Sequence, residues 1–338
     1  MTLLTKIKHF LVVPHDRILS AISDDGIHWK REPGIRKDYG GIHRTVMAYY
    51  SYVHQPADFC GDYEMYYHNS SLIDGKWHGN IVRSRSTDGL RWSDIEKPVV
   101  SGGVSDQIDR QVRAPFLLKS DSGWTLFFSA LGMDGKTRIF STYSENRQDW
   151  RLSSRPVLDP EDCRKLDHEN WGRVNGVSDP FIVRLPTNNY RMYFSCIFSR
   201  INDQLIASAV SDDGLRWEIE DGYRIPAGPV GQYPCACNPC VIPFGEGWRI
   251  YFRRAEIYPI WNTIYTAYST DGLSFEAGVE CLKYQRWNFH ERNAVGFPFV
   301  LPLTTGGYRM YYTGYWGFLF DQKIIKEYTE LDTKTRIR

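Results

Sequence analysis

The chain has 338 residues, with 41 Lys plus Arg against 40 Asp plus Glu, a formal net charge of +1, and 42% hydrophobic residues. That balance creates no long-range field for nucleic acid or an anionic membrane, and no apolar run approaches the ~18 residues of a membrane span. The partner to expect is a carbohydrate or other small-molecule substrate, with no nucleic acid and no membrane.

Met1 to Val13 carries Lys6, Lys8 and His9 inside its one apolar stretch, so it reads as part of the fold and not as a signal peptide. A strand over Arg17 to Ser23 follows, then a turn of the form Ser-x-Asp-Gly-x-x-aromatic at Ser23 to Trp29. The turn recurs at Ser86 to Trp92, Ser211 to Trp217 and Ser269 to Phe275, with a degraded copy at Ser144 to Trp150. The spacing of roughly 60 residues is that of a four-stranded propeller blade with generous loops. Asp and Gly supply the side-chain hydrogen bond and positive φ of a tight connection, so these aspartates are structural.

A second element runs in phase with the first. A small or polar residue precedes Pro and a short apolar run, which leads through a turn to a strand of alternating aromatics. In chain order the copies are Ala114-Pro115-Phe116-Leu117 before Trp124 to Phe128, Asp179-Pro180-Phe181-Ile182 before Tyr190 to Phe194, Asn238-Pro239-Cys240-Val241 before Trp248 to Phe252, and Phe297-Pro298-Phe299-Val300 before Tyr308 to Tyr312. Pro at the start of a strand gives up no ladder bond. The first blade substitutes Arg44-Thr45-Val46 before Tyr63 to Tyr67. Period-2 alternation without a competing 3.6-residue period makes the class all-β, a single five-bladed β-propeller over residues 1–338. The N-terminal strands complete the last blade and remove its open edge, although Lys323 to Tyr328 competes for the third-strand position. Val100 to Gln111, Leu158 to Gly176, Asp221 to Ala236 and Ala277 to Ala294 are long inter-blade loops of the kind that build or cover a site.

The inner strands deliver their first residues, and the second strands their last, to one mouth of the central channel. That places His43-Arg44, Arg113-Ala114, Ser178-Asp179, Cys237-Asn238 and Gly296-Phe297 beside His68-Asn69, Ser129, Ser195-Cys196, Arg253 to Glu256 and Thr313 to Trp316. With these residues and the blade repeat, nearly the whole chain resembles the five-bladed glycosidase superfamily of arabinanase, β-xylosidase and invertase-like enzymes, closest to bacterial members of similar length. The resemblance implies three acids around the channel, an Asp base or nucleophile, an Asp in Asp-Pro that tunes and orients, and a Glu general acid. Only Ser178-Asp179-Pro180 matches this pattern position for position. Arg44 stands where the first blade would carry an Asp, and Arg113-Ala114-Pro115 has no acid.

The catalytic candidates are therefore Asp179, to orient substrate or tune the acid, Glu256 or Glu291 as proton donor, and Asp109 or Glu169 as base. His43, Arg44, His68, Arg113, Asn238, Arg253, Arg254 and the stacking ring of Trp316 are the binding candidates. Guanidinium groups at the mouth suit a carboxylate or phosphate on the substrate, and equally suit neutralising Asp179 or Glu256. Cys235, Cys237 and Cys240 have no second Cys/His pair nearby, so no metal is expected, and no phosphate-cradling or serine-nucleophile motif calls for a cofactor. Seven irregularly spaced cysteines, an odd number, fit a reducing and hence cytoplasmic setting. Three readings stay open: a glycosidase-like enzyme, a propeller that binds glycan without cleaving it, and a channel reassigned to cyclisation or group transfer.

Overall fold

The computed structural model describes residues 15–38, 40, 47–55, 61–73, 76–120, 122–199, 204–226, 235–257 and 261–316. Five antiparallel sheets follow one another along the chain. From the innermost strand outward, the first is built from Met47–His54, Tyr63–Ile73, Lys76–Ser86 and Ser93–Asp94, with Val100–Ser101 added to its third strand. The second contains Val112–Ser120, Gly123–Leu131, Thr137–Ser144 and Arg151–Leu152, and the third Val174–Arg184, Tyr190–Phe198, Gln204–Ser211 and Glu218–Ile219. Ala236–Phe244, Gly247–Ile257, Trp261–Ser269 and Val279–Leu282 form the fourth. The fifth joins both ends of the chain: Ala294–Pro302 and Tyr308–Trp316, then His15–Ser23 and Lys30–Arg31.

The architecture is thus an all-β five-bladed propeller whose last blade is completed by the N-terminal strands. The closing pair runs in register from His15 opposite Trp316 to Ser23 opposite Tyr308. His15–Ser23 therefore occupies the third-strand position, and Lys323 to Tyr328 lies outside the described residues. The long segments read as loops are partly strand: Val100 to Gln111 begins with Val100–Ser101, and Ala277 to Ala294 contains the fourth blade's outermost strand Val279–Leu282. Leu158 to Gly176 carries a 3₁₀ helix at Pro160–Leu166 before the strand from Val174, and residues 227–234 of Asp221 to Ala236 lie outside the described residues. Among the described residues, no helix is long and apolar enough to cross a membrane.

Each Ser-x-Asp-Gly turn connects the third strand of a blade to its fourth. In the closing blade the Ser23 hydroxyl accepts from Gly26 N (2.9 Å) while Asp25 Oδ1 accepts from Ile27 N and His28 N, and the other three intact copies repeat the pattern. Gly26, Gly89, Gly214 and Gly272 take φ between 71 and 73° there. In the degraded copy Arg147 occupies that position at φ 60°, a conformation that disfavours residues with a Cβ.

The same turns hold neighbouring blades together. Tyr193 donates its hydroxyl to Gly272 O, Tyr251 to Gly26 O and Tyr311 to Gly89 O, so three of the five joints use a second-strand tyrosine on the next blade's turn glycine. Beside two of them lies a paired arginine: Arg191 grips Glu220 and Arg309 grips Glu32 through two nitrogens each, and Ser208 and Ser20 also donate to these carboxylates. Each buried tyrosine removed as Phe leaves an inter-blade carbonyl unsatisfied. Tyr193→Phe, Tyr251→Phe and Tyr311→Phe are each expected to lower unfolding free energy by about 1–2 kcal/mol in urea titrations, and they should add because the joints are separate.

Candidate functional site

In every blade the inner strand breaks register at the same place. The shifts fall between Tyr49 and Tyr52, Arg113 and Phe116, Ser178 and Phe181, Cys237 and Cys240, and Gly296 and Phe299. Each contains a residue in the left-handed region: Tyr50 (φ 56°), Ala114 (52°), Asp179 (58°), Asn238 (56°) and Phe297 (52°). A non-glycine residue there costs about 1 kcal/mol or more, and bulges of this kind re-aim side chains beside functional sites. Pro follows the left-handed residue in four blades and Ser51 in the first.

These positions correct the reading of the first blade. Its inner strand is Met47–His54, and Tyr50-Ser51 is in phase with Asp179-Pro180. Arg44 therefore does not hold the place equivalent to Asp179, and His43 and Arg44 lie outside the described residues. Without a Pro, the first blade gave no marker for the bulge.

The five left-handed residues and their followers line a pocket on the channel axis. Two residues further on, Tyr52, Phe116, Phe181 and Phe299 form an aromatic collar that lines the same pocket. Their centroids are 4.7 Å apart from Tyr52 to Phe116, 5.0 Å from Phe116 to Phe181, 6.2 Å from Phe181 to Phe299, and 4.9 Å from Phe299 back to Tyr52.

Among the described residues, Asp179 is the one carboxylate in that lining. Its backbone N–H donates to Ser129 Oγ of the preceding blade (2.9 Å), which anchors the strained residue, and Ser178 Oγ donates to Oδ2 (3.0 Å). Oδ1 is buried and has no hydrogen-bond partner among the described residues. Asn238 repeats the anchor one blade on, donating its N–H to Ser195 Oγ (3.1 Å). Ser51 Oγ in the same lining is also buried without a partner.

Two arginines flank the pentad. Burial works against the charge on Arg113, but Tyr50 and Asp179 outweigh it and raise its pKa. Burial likewise works against the charge on Arg253, yet its pKa is raised well above the ordinary arginine value and the guanidinium stays charged. Its Nε lies 3.2 Å from Cys237 Sγ and its guanidinium 5.4 Å from the Phe297 ring centroid. The side chain passes over Gly296, where an added Cβ would come within 2.9 Å of Arg253 Cδ. Between the arginines, Tyr50 is held protonated by burial and by Asp179.

The other sequence candidates separate from this group. His68 is fully buried beside the site and has both ring nitrogens engaged, by Val112 O (2.6 Å) and Ser70 Oγ (2.8 Å); burial pushes its pKa down to about 3, so it is a neutral packing residue against Tyr49. Arg254 points the other way along its strand and packs over the Phe252 and Tyr265 rings. Glu291 is fully buried and bound by Arg31, Asn288 and the Tyr312 hydroxyl (2.8 Å), a staple between the outermost strand of the closing blade and the loop before its innermost. Asp109 pairs with Arg110 in the loop before the second blade (3.3 Å), and Glu169 is exposed on the loop where His168 stacks on Trp171. Glu256 and Trp316 lie at the ends of second strands, and their side chains fall outside the described ones.

Sequence reasoning did not single out Tyr50, Ser51 or Asp16, and it placed Tyr315 at the mouth without a role. Asp16 is the cross-strand partner of Tyr315 in the closing blade. It is 7% exposed, and burial, opposed by Arg17, lifts its carboxyl to about 7. A carboxyl raised from its unfolded value of 3.8 adds stability in full below about pH 4 and loses it as pH rises through 7. Relative to Asp16→Asn, the wild type is expected to lose on the order of 2–4 kcal/mol in urea titrations between pH 4 and pH 8; a parallel pH response of the two proteins would contradict this.

No known family model matches the chain, and no curated protein matches it. Solved structures do. A protein described as a glycoside hydrolase aligns with a TM-score of 0.61 at 11% identity, over 93% of this chain and 95% of that one. A thermostable family-43 glycoside hydrolase aligns at 0.58 and 13% identity, over 79% and 88%. A β-1,2-mannobiose phosphorylase from Listeria innocua, in complex with β-1,2-mannobiose, aligns at 0.59 and 11% identity, over 80% and 89%. Identities this low speak for the fold, and by its fold this five-bladed propeller is similar to glycoside hydrolases.

Proposed function

We propose that the protein is a glycosidase-like enzyme that acts on an anionic sugar or oligosaccharide at the central channel. The supporting observation is the pairing of one channel carboxylate among the described residues, with one oxygen unpartnered, and two flanking arginines that stay charged against burial. Arg113 and Arg253 bind the carboxylate or phosphate of the substrate. Asp179 Oδ1 takes or returns a proton at the reacting oxygen, while the Ser178 hydroxyl holds Oδ2 and fixes the carboxyl plane. Tyr50 and Phe297, whose rings lie 3.8 Å apart, offer flat surfaces for the C–H faces of a sugar. Hydrolysis needs a second carboxyl to complement Asp179, and Glu256, at the mouth end of its strand, is the residue assigned to it.

The same observation favours a second reading. One acid among arginines suits group transfer to phosphate, in which the guanidinium groups hold the attacking anion and Asp179 protonates the leaving oxygen. One of the similar structures is named as a phosphorylase.

The two readings separate in a turnover screen of aryl glycosides and oligosaccharides, neutral and uronic, with and without inorganic phosphate. Asp179→Asn is expected to lose about 100-fold or more in kcat, and Arg113→Gln to raise KM for anionic substrates with less effect on kcat. Turnover that requires phosphate selects transfer, and turnover without it selects hydrolysis. Unchanged turnover in Asp179→Asn would remove the assignment, and an absence of turnover with retained binding would leave a glycan-binding propeller.

A further inference from the structure

One face of the closing blade holds polar atoms that the fold leaves unsatisfied. Asp16 Oδ1, Thr313 Oγ1 and Tyr315 Oη are all buried without a hydrogen-bond partner among the described residues. Asp16 pairs across the strands with Tyr315, and Ile18 with Thr313. Residues facing each other in this way lie side by side on one sheet face, with Cβ atoms about 5 Å apart. Each such atom left dry costs about 1–3 kcal/mol, so three together on one face call for a partner from beyond the described residues.

The contrast with the other blades is informative. Ser129 and Ser195 hold the second-strand position that Thr313 holds in the closing blade, each opposite the residue before the left-handed one. Both serines accept the backbone N–H of the next blade's left-handed residue, whereas the Thr313 hydroxyl makes no such bond.

This face lies behind the channel lining, against Phe297. Tyr315 is coupled electrostatically to Arg253, Asp16, Tyr50 and Tyr49, and its ring lies 5.9 Å from Phe297. Gly296 allows the connection, since a Cβ there would stand 2.9 Å from Arg253 Cδ and 3.6 Å from Tyr315 Cε2.

We infer that Asp16, Thr313 and Tyr315 form a second subsite of the channel, beside Arg253, which binds adjacent hydroxyl groups of the sugar whose anionic group the arginines hold. A carboxyl that accepts and a phenol that both donates and accepts suit a vicinal diol. The inference rests on the proposed carbohydrate function. It adds that the ring-closing N-terminal strand supplies part of the ligand site, so closure of the ring and completion of the site are one event.

The test is isothermal titration of the full chain with three probes: sodium sulfate for the arginines alone, the D-uronates of glucose, galactose and mannose, and the methyl glycosides of the same sugars. At least one uronate is expected to bind the wild type more tightly than sulfate does. Asp16→Asn and Tyr315→Phe, both isosteric, are each expected to weaken that uronate about tenfold while leaving sulfate within twofold. Gly296→Ala, which presses on Arg253, should weaken both. Uronate affinity unchanged in the two isosteric variants, or falling in step with sulfate, overturns the subsite. No sulfate binding by the wild type, with methyl glycosides still bound and still weakened in the two variants, removes the anionic reading and leaves the subsite standing; loss of every probe removes both.

Discussion

The site depends on one backbone feature, a left-handed bulge placed at the same height in five inner strands. A regular strand would point alternate side chains into the gaps between blades, where they would be absorbed by packing. The bulge takes two residues out of the ladder and turns the first toward the axis, so that Tyr50, Ala114, Asp179, Asn238 and Phe297 meet around one opening. The strain is offset locally. Ser129 and Ser195 hold the N–H groups of Asp179 and Asn238, and in four blades the proline that follows has no N–H to leave unpaired. Beneath, the collar of Tyr52, Phe116, Phe181 and Phe299 lines the narrow part of the channel with ring edges and faces.

Charge then separates this site from the rest of the molecule. Elsewhere the buried and half-buried acids are matched by cations: Glu64 by Arg85 and Arg147, Glu220 by Arg191, Glu32 by Arg309, Glu291 by Arg31. Those pairs tie strands and blades together, and breaking one leaves an uncompensated buried charge. Around the channel the arithmetic runs the other way. Among the described residues two arginines flank one lining carboxylate, and burial lifts the carboxyl of nearby Asp16 to about 7. An excess of positive charge held partly out of water is stabilised by a bound anion.

The fold was legible because its signals are local and repeated. Ser-x-Asp-Gly must be a turn wherever it stands, and five copies in phase with the Pro-led strands count the blades. Asp179 was legible for the same reason, since Pro180 marks its bulge. What stayed hidden depends on contacts far apart in sequence. Tyr50 has Ser51 in place of the proline, so the repeat carries no landmark there and the sequence pattern points to Arg44 instead. Glu291 looks like any loop acid beside an arginine until Arg31, 260 residues away, is seen to bind it. His68 sits at the mouth in sequence terms, but Val112 and Ser70 occupy both its nitrogens. Asp16 could be found only by carrying the alternation of the N-terminal strand back from Ser20 and Ile18 and pairing it with a strand at the other end of the chain.

The proposed function requires the channel to be an anion site organised by the left-handed pentad. Crystals soaked in selenate and measured at the selenium edge read this directly. An anomalous peak is expected within hydrogen-bond reach of Arg113 and Arg253 at the mouth of the pocket, with the Asp179 carboxyl turned toward the axis. Arginines closed on protein carboxylates, with the channel free of selenate while other sites on the same molecule are filled, would contradict it.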